Sequence, residues 1–251
     1  ACGVAAHAIC PVFGTAAQDK IFYGLLHSAL AILLIKLGGY RLFSRVMGVC
    51  IAVMFVVVLT TAIALAPTWS QVLTGLVLPR IPQIEGEGIP WTVGLMGGIG
   101  GTVTVLCYGY WIREEGRESA EALRSCRIDL AVGYGMTALF GLAMVVIGHQ
   151  IGPVQGKGAG LIANIADVLK SQLGPLGPGL RWAFLIGAWG AVFSSLLGVW
   201  QSVPYLFADL WQQMRHPRNA EGSGRPSVNT RSGAYQGYLH ALAIIPALGL
   251  C

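Results

Sequence analysis

Long apolar runs decide what this chain can become. Five of them, residues 21–37, 46–66, 89–112, 128–151 and 180–207, carry at most one charged residue each. At 1.5 Å per helical residue, about 20 residues cross the roughly 30 Å of bilayer hydrocarbon, and only the first run falls short of that count. A backbone in hydrocarbon must satisfy its own N–H and C=O groups, so it spans as a helix or as a closed barrel. Barrel strands alternate apolar and polar residues over about ten positions, and these runs are continuous. The sequence therefore predicts helices.

Composition supports the same fold class. Charged residues make up 11% and hydrophobic residues 55%, against about 25% charged in soluble domains. Mean hydropathy is +0.65. Sixteen Lys/Arg and eleven Asp/Glu cannot coat a soluble globule of 251 residues, which excludes a soluble enzyme, and the apolar content excludes a disordered chain. The 35 glycines, against roughly 18 at average usage, suit membrane helices that approach closely. The chain is expected to be an all-α polytopic membrane protein, with residues 1–251 forming one transmembrane domain. It opens with Ala1 inside an apolar stretch, 1–17, and closes inside another, 235–251. Each is read as part of a span, and the chain as the interior of a longer protein. The six cysteines show neither CxxC pairing nor zinc spacing and are read as small hydrophobes.

Orientation follows from lysine and arginine. The turn with Lys36, Arg41 and Arg45, the 113–127 loop and the 209–234 loop together hold eleven, while the opposite side holds five: Lys20, Arg80, Lys157, Lys170 and Arg181. The richer loops belong in the cytoplasm. The net charge of +5 is then a topological signal and not a nucleic-acid footprint. The 209–234 segment reads as a flexible linker, with Pro217, Gly222, Gly224 and Pro226 among polar residues. Its arginines also suit anionic lipid heads, although a solvated loop obeying the charge rule explains them.

Ionisable residues inside the spans are few. Asp129 stands one residue into its span, where a pairing with Arg127 or Arg124 or a water-filled cavity is expected; it is a candidate for proton or ion coupling. His27 lies within the first span and His149 near the outer end of another, and imidazole can relay protons near neutrality. Each also has a plain structural reading as a packed or interfacial residue. Ser194, Ser195 and Gly198 form a small-residue face that helix packing explains. GxSxG, HExxH and Walker patterns are all missing, so the protein is not read as an enzyme.

The strongest local signal is GLMGGIGGTVTVLCYGYWIREEGR, residues 94–117. Gly97, Gly98, Gly100 and Gly101 crowd five positions in mid-span, each costing about 1 kcal/mol relative to Ala in a helix. Two readings stand open. In one, Gly94/Gly98 and Gly97/Gly101 are GxxxG pairs for close packing. In the other, the helix breaks there and its backbone lines a cavity, as in secondary transporters. Thr102 and Thr104 offer hydroxyls that can face a polar cavity or bond back to their own helix, and Tyr108, Tyr110 and Trp111 form an aromatic belt just before Arg113.

At GGTVTVLCYGYWIREEGR the chain resembles the sixth transmembrane helix of Nramp-related divalent metal transporters, the natural resistance-associated macrophage protein family. GGYRLFSRVMGVCIAVMF is similar to the family's link from helix four to five, RIDLAVGYGMTALF to the start of helix seven, and FLIGAWGAVFSSLLGVWQS to helix eight. The resemblance thus covers about helices three to nine. It implies an inverted-repeat fold shared with amino-acid transporters, LeuT-like, in which helices one and six unwind at the substrate site. In the family, a DPGN motif in helix one, the Met of MPH in helix six and a backbone carbonyl three residues earlier bind the metal. The family pattern GATVMPH falls on Gly100 to Leu106, so Thr104 takes the Met position, Val105 the Pro and Leu106 the His; Gly101 supplies the carbonyl. A hydroxyl is a hard donor where a thioether is soft, which shifts preference toward cations such as Mg²⁺.

The resemblance therefore implies a transporter of divalent cations by alternating access, metal-bound at Gly101 and Thr104, with Gly97, Gly98, Gly100, Thr102 and Tyr108 lining the cavity. The metal ion is cargo, and no cofactor is expected. H⁺ is the candidate coupling ion, carried by Asp129 or His27. The lipid bilayer is the surrounding partner, a bacterial inner membrane the implied location, and the oligomeric state stays open. A small organic solute on the same fold, or a non-transporting protein with glycines for packing alone, are the competing readings.

Overall fold

The computed structural model describes residues 1–13, 15–65, 67–78, 88–98, 102–117, 119–152, 160–215 and 228–248. Among the described residues the chain is helical and contains no strand. Its elements are α1 (Cys2–Ile9), α2 (Ala16–Ala64), α3 (Trp69–Val77), α4 (Gly88–Gly98), α5 (Thr102–Glu114), α6 (Leu123–Ile151), α7 (Gly160–Gln172), α8 (Gly177–Arg215) and α9 (Gly233–Leu248). Among the described residues, four segments are long and apolar enough to cross a membrane: Ala16–Leu37, Gly39–Ala64, Ala120–Ile151 and Gly174–Arg215. Many of their large side chains face outward, Leu33, Val56, Leu139 and Ile186 among them, as they must in a lipid solvent. The protein is an all-α polytopic membrane protein.

Several segments differ from what the residues alone suggest. The apolar stretch 1–17 is helical only over Cys2–Ile9. Pro11 has no N–H to continue the ladder and pushes the residue before it out of the α region; Cys10 is extended, at φ −142° and ψ 94°. The next helix then starts at Ala16, five residues earlier than the apolar run. Thr15-Ala-Ala-Gln18 has the S/T-x-x-E/Q spacing of a capping box, and the Gln18 amide donates to Thr15 Oγ1 at 3.4 Å.

The expected turn at 38–45 is helical as well, broken by one residue. Gly39 sits at φ 55°, ψ −162°, a region essentially reserved for glycine. That single break folds α2 back on itself. His27, twelve residues before Gly39, bonds to Trp189, and Cys50, eleven residues after it, lies beside Gly190. Two arms that reach neighbouring positions on α8 at nearly equal distance from the break lie side by side.

At its far end α8 extends past the apolar run to Arg215, so the expected linker begins later than residue 209. Ala208, Leu210, Gln212, Gln213 and Met214 are good helix formers, and Pro204 is carried inside the helix, as membrane helices tolerate. The short helices α3 and α7 stand in segments read only as connections.

The chain divides into two compact units, residues 1–57 with 153–251, and residues 58–152. In the first, α8 is central. In its most apolar stretch 39% of residues are buried, against 11–17% in the other three spans. It packs on α1, α7 and α9, and Leu169, Leu185, Leu197 and Leu239 are fully buried. In the second unit, Val58 and Ala62 from the end of α2 meet Ala143, Val146 and Ile147 of α6, with Val72 of α3 against them.

Candidate functional site

In the second unit, α5 and the start of α6 bring polar groups together. Tyr108 is four residues beyond Thr104, so the two positions share one face of α5. The Tyr108 hydroxyl donates to Asp129 Oδ2 at 3.1 Å and also faces the Cys126 carbonyl at 3.3 Å. Arg117 Nη1 lies 3.8 Å from the same carboxylate, and Arg117 pairs through Nη2 with Glu115. The expected partners of Asp129 were Arg127 or Arg124. The structure supplies Tyr108 and Arg117 instead. Asp129 lies near the start of α6, where the chain returning from α5 passes it, whereas Arg124 and Arg127 share its helix. The Asp129 side chain is 55% exposed, so it is a solvated carboxylate held by a phenol and a distant guanidinium.

The remaining candidates of that segment are only partly within view. Gly97 and Gly98 form the last residues of α4, while Gly100 and Gly101 lie outside the described residues. Thr102 and Thr104 belong to the first turn of α5 by backbone, with their side chains outside the description. Among the described residues no group of three His, Cys, Asp or Glu side chains converges on a point that holds a metal.

His27, in the first unit, is buried at 4% exposure. Its Nδ1–H donates to the Tyr23 carbonyl at 2.5 Å, and its Nε2 accepts from the Trp189 indole N–H at 2.7 Å. A carbonyl can only accept and an indole N–H can only donate, so the ring is the neutral Nδ1–H tautomer. Phe193 stacks on Trp189 with centroids 5.3 Å apart and meets His27 edge-on at 5.4 Å. His27 thus ties α2 to α8.

Two further polar ties were not foreseen. Asp19, fully buried, accepts from the Phe13 amide at 2.7 Å, the Val12 amide at 3.1 Å and His7 Nδ1 at 2.5 Å. It closes the loop between α1 and α2, and Tyr23 adds a bond to the Cys10 carbonyl at 2.7 Å. The Thr15–Gln18 capping spacing would have placed Asp19 in the first turn of a helix, where an acid is favoured. Lys36 Nζ donates to His240 Nε2 at 2.9 Å, while His240 Nδ1–H donates to the Gln236 carbonyl at 2.6 Å. No local signal marks that pair, 204 residues apart.

Compared with known proteins, the chain matches no curated protein and no solved structure. A family-wide sequence profile described as natural resistance-associated macrophage protein-like does match, over residues 3–251. That span takes in every helix from α2 to α9 and nearly all of α1. The chain therefore belongs to the Nramp-like family, whose members are membrane transporters of metal ions and not enzymes.

Proposed function

We propose that the protein carries a divalent cation across the membrane by alternating access, in a LeuT-like inverted-repeat fold in which α4 and α5 are the halves of one interrupted span. The observation that carries this reading is the family match, which includes the stretch 100–106. The Gly101 carbonyl and Thr104 hydroxyl act as oxygen donors to the cation, and Gly97, Gly98, Gly100, Thr102 and Tyr108 line its path. A donor pair without sulfur suits a hard, partly hydrated ion such as Mg²⁺ better than it selects Mn²⁺ or Fe²⁺. Asp129 takes the coupling role. It is half-exposed and joined to α5 through Tyr108, whereas His27 would have to give up one of its two bonds to pass a proton. The membrane is proposed to be a bacterial inner membrane.

Uptake of Mg²⁺ and Mn²⁺ into proteoliposomes holding the protein tests this. Gly101→Val with Thr104→Ala is expected to abolish transport of both ions. Thr104→Met, which replaces a hydroxyl by a thioether, is expected to raise Mn²⁺ uptake relative to Mg²⁺ by about tenfold, or 1.4 kcal/mol of discrimination. Unchanged transport in the double variant, at a normal folded yield, would sink the site.

A further inference from the structure

One cavity has no part in that reading. It lies in the first unit between the end of α8 and the start of α9, with a volume of about 800 Å³, inside the roughly 300–1,000 Å³ range of small-molecule sites. Phe207, Trp211 and Arg215 of α8 form one wall; Asn229, Ser232 and Tyr238 form the other. The wall is a ladder of aromatic rings ending in a cation. Tyr238 stacks on Phe207 at 4.5 Å, Phe207 on Trp211 at 6.0 Å, and the Arg215 guanidinium sits 4.8 Å above the Trp211 ring. Among the described residues Arg215 has no carboxylate partner.

Position and charge narrow the occupant. The 39 residues of α8 extend about 58 Å at 1.5 Å each, well beyond about 30 Å of hydrocarbon. Its last turns thus reach headgroup depth, where Trp and Tyr collect. Leu210 and Met214 flank Trp211 there and are exposed, which suits lipid and not water. The segment 209–234 has four arginines against Asp209 and Glu221, on the side that the charge rule places in the cytoplasm, where anionic lipids concentrate.

We propose that this cleft holds the headgroup of an anionic phospholipid, with Arg215 as the ligand of its phosphate. The planar fork of a guanidinium matches two phosphate oxygens. Asn229 and Ser232 offer an amide and a hydroxyl to the polar headgroup, and the Phe207–Trp211–Tyr238 ladder covers the glycerol and the first acyl carbons. A soluble anion would find the cation but would leave the aromatic wall uncovered.

The test uses the complete protein in vesicles of phosphatidylcholine mixed with phosphatidylglycerol, extracted gently and weighed by native mass spectrometry. Wild type is expected to retain phosphatidylglycerol over phosphatidylcholine. Arg215→Gln is expected to lower that retention about fivefold, the worth of one cation near an anionic surface. Gly237→Leu fills the same cleft from α9, where an added Cβ meets nothing within 4 Å, so it should fold and also expel the lipid. Arg45→Gln removes an arginine from the same side outside the cleft and should change nothing. Equal loss in Arg45→Gln, or unchanged retention in both cleft variants, overturns the proposal. So does displacement of the lipid by inorganic phosphate at low concentration, which would mean a soluble-anion site. No lipid on wild type, as when another segment fills the cleft, overturns it equally.

Discussion

Replacing Trp189 by Phe isolates one interhelical hydrogen bond. The phenyl ring keeps the stack on Phe193 but removes the N–H that His27 Nε2 accepts at 2.7 Å. His27 is 4% exposed, so little water is at hand to replace the donor. A buried acceptor left unsatisfied costs about 1–3 kcal/mol in soluble proteins. Polar pairs between membrane helices average about 0.6 and reach about 1.7 kcal/mol, because the unfolded chain in lipid also finds partners. With α8 the most buried span, the expected loss lies near the upper membrane value, about 1–1.5 kcal/mol. His27→Phe should cost a similar amount by stranding the indole N–H. The double variant removes both polar groups together and should recover about 1 kcal/mol of the sum, about fivefold in an unfolding equilibrium. Reversible SDS unfolding in mixed micelles, followed by tryptophan fluorescence, reads all four proteins. If the two single losses add within about 0.3 kcal/mol, as uncoupled sites do, the assigned tautomer and its bond to Trp189 are wrong.

Other substitutions test other parts of the structure. Gly39→Val should lower stability by about 1–3 kcal/mol, since a β-branched residue resists φ 55°; an unchanged unfolding midpoint would contradict the fold-back at that residue. Gly187→Ala sets a new methyl 3.2–3.3 Å from Val57 and should cost about 1–3 kcal/mol by overpacking, whereas Gly198→Ala meets nothing within 4 Å and should stay within about 0.5 kcal/mol; equal effects in a thermal-aggregation assay would refute the close approach of α2 and α8. If Asp129 has the proposed coupling role, Tyr108→Phe and Asp129→Asn should each slow cation uptake severalfold while unfolding shifts by less than about 1 kcal/mol, as for an exposed pair; full uptake in both would remove the cluster from the transport cycle.

Much of the fold is legible in residue type because the bilayer leaves so few options. An apolar run such as 46–66 can satisfy its backbone in lipid only as a helix, whatever its neighbours do. The candidate segment stands out for a different reason: the glycines at 97, 98, 100 and 101 oppose helix propensity where the run otherwise favours helix, yet Gly97 and Gly98 end α4 as helix and Gly100 and Gly101 lie outside the described residues. Boundaries are less legible where weak signals compete. Pro11 ends α1 and the Thr15–Gln18 spacing starts α2, yet both are overshadowed by the continuous hydropathy of 1–37.

What the sequence determined by itself is therefore the solvent, the helical class and the family. All of these follow from local composition and from motifs read in order along the chain. Partnership was decided by the tertiary structure alone. Asp129 is held by Tyr108 and not by an arginine of its own helix, His27 is locked by Trp189 from 162 residues away, and Lys36 meets His240. Local pattern says which groups are polar, but only the packing of the first arm of α2 near α8 and α9, and the return of the chain from α5 to α6, bring these distant ones within hydrogen-bonding reach. The physical reason is the short range of these bonds. A hydrogen bond acts over about 3 Å, while sequence separation says nothing about distance once a chain has packed.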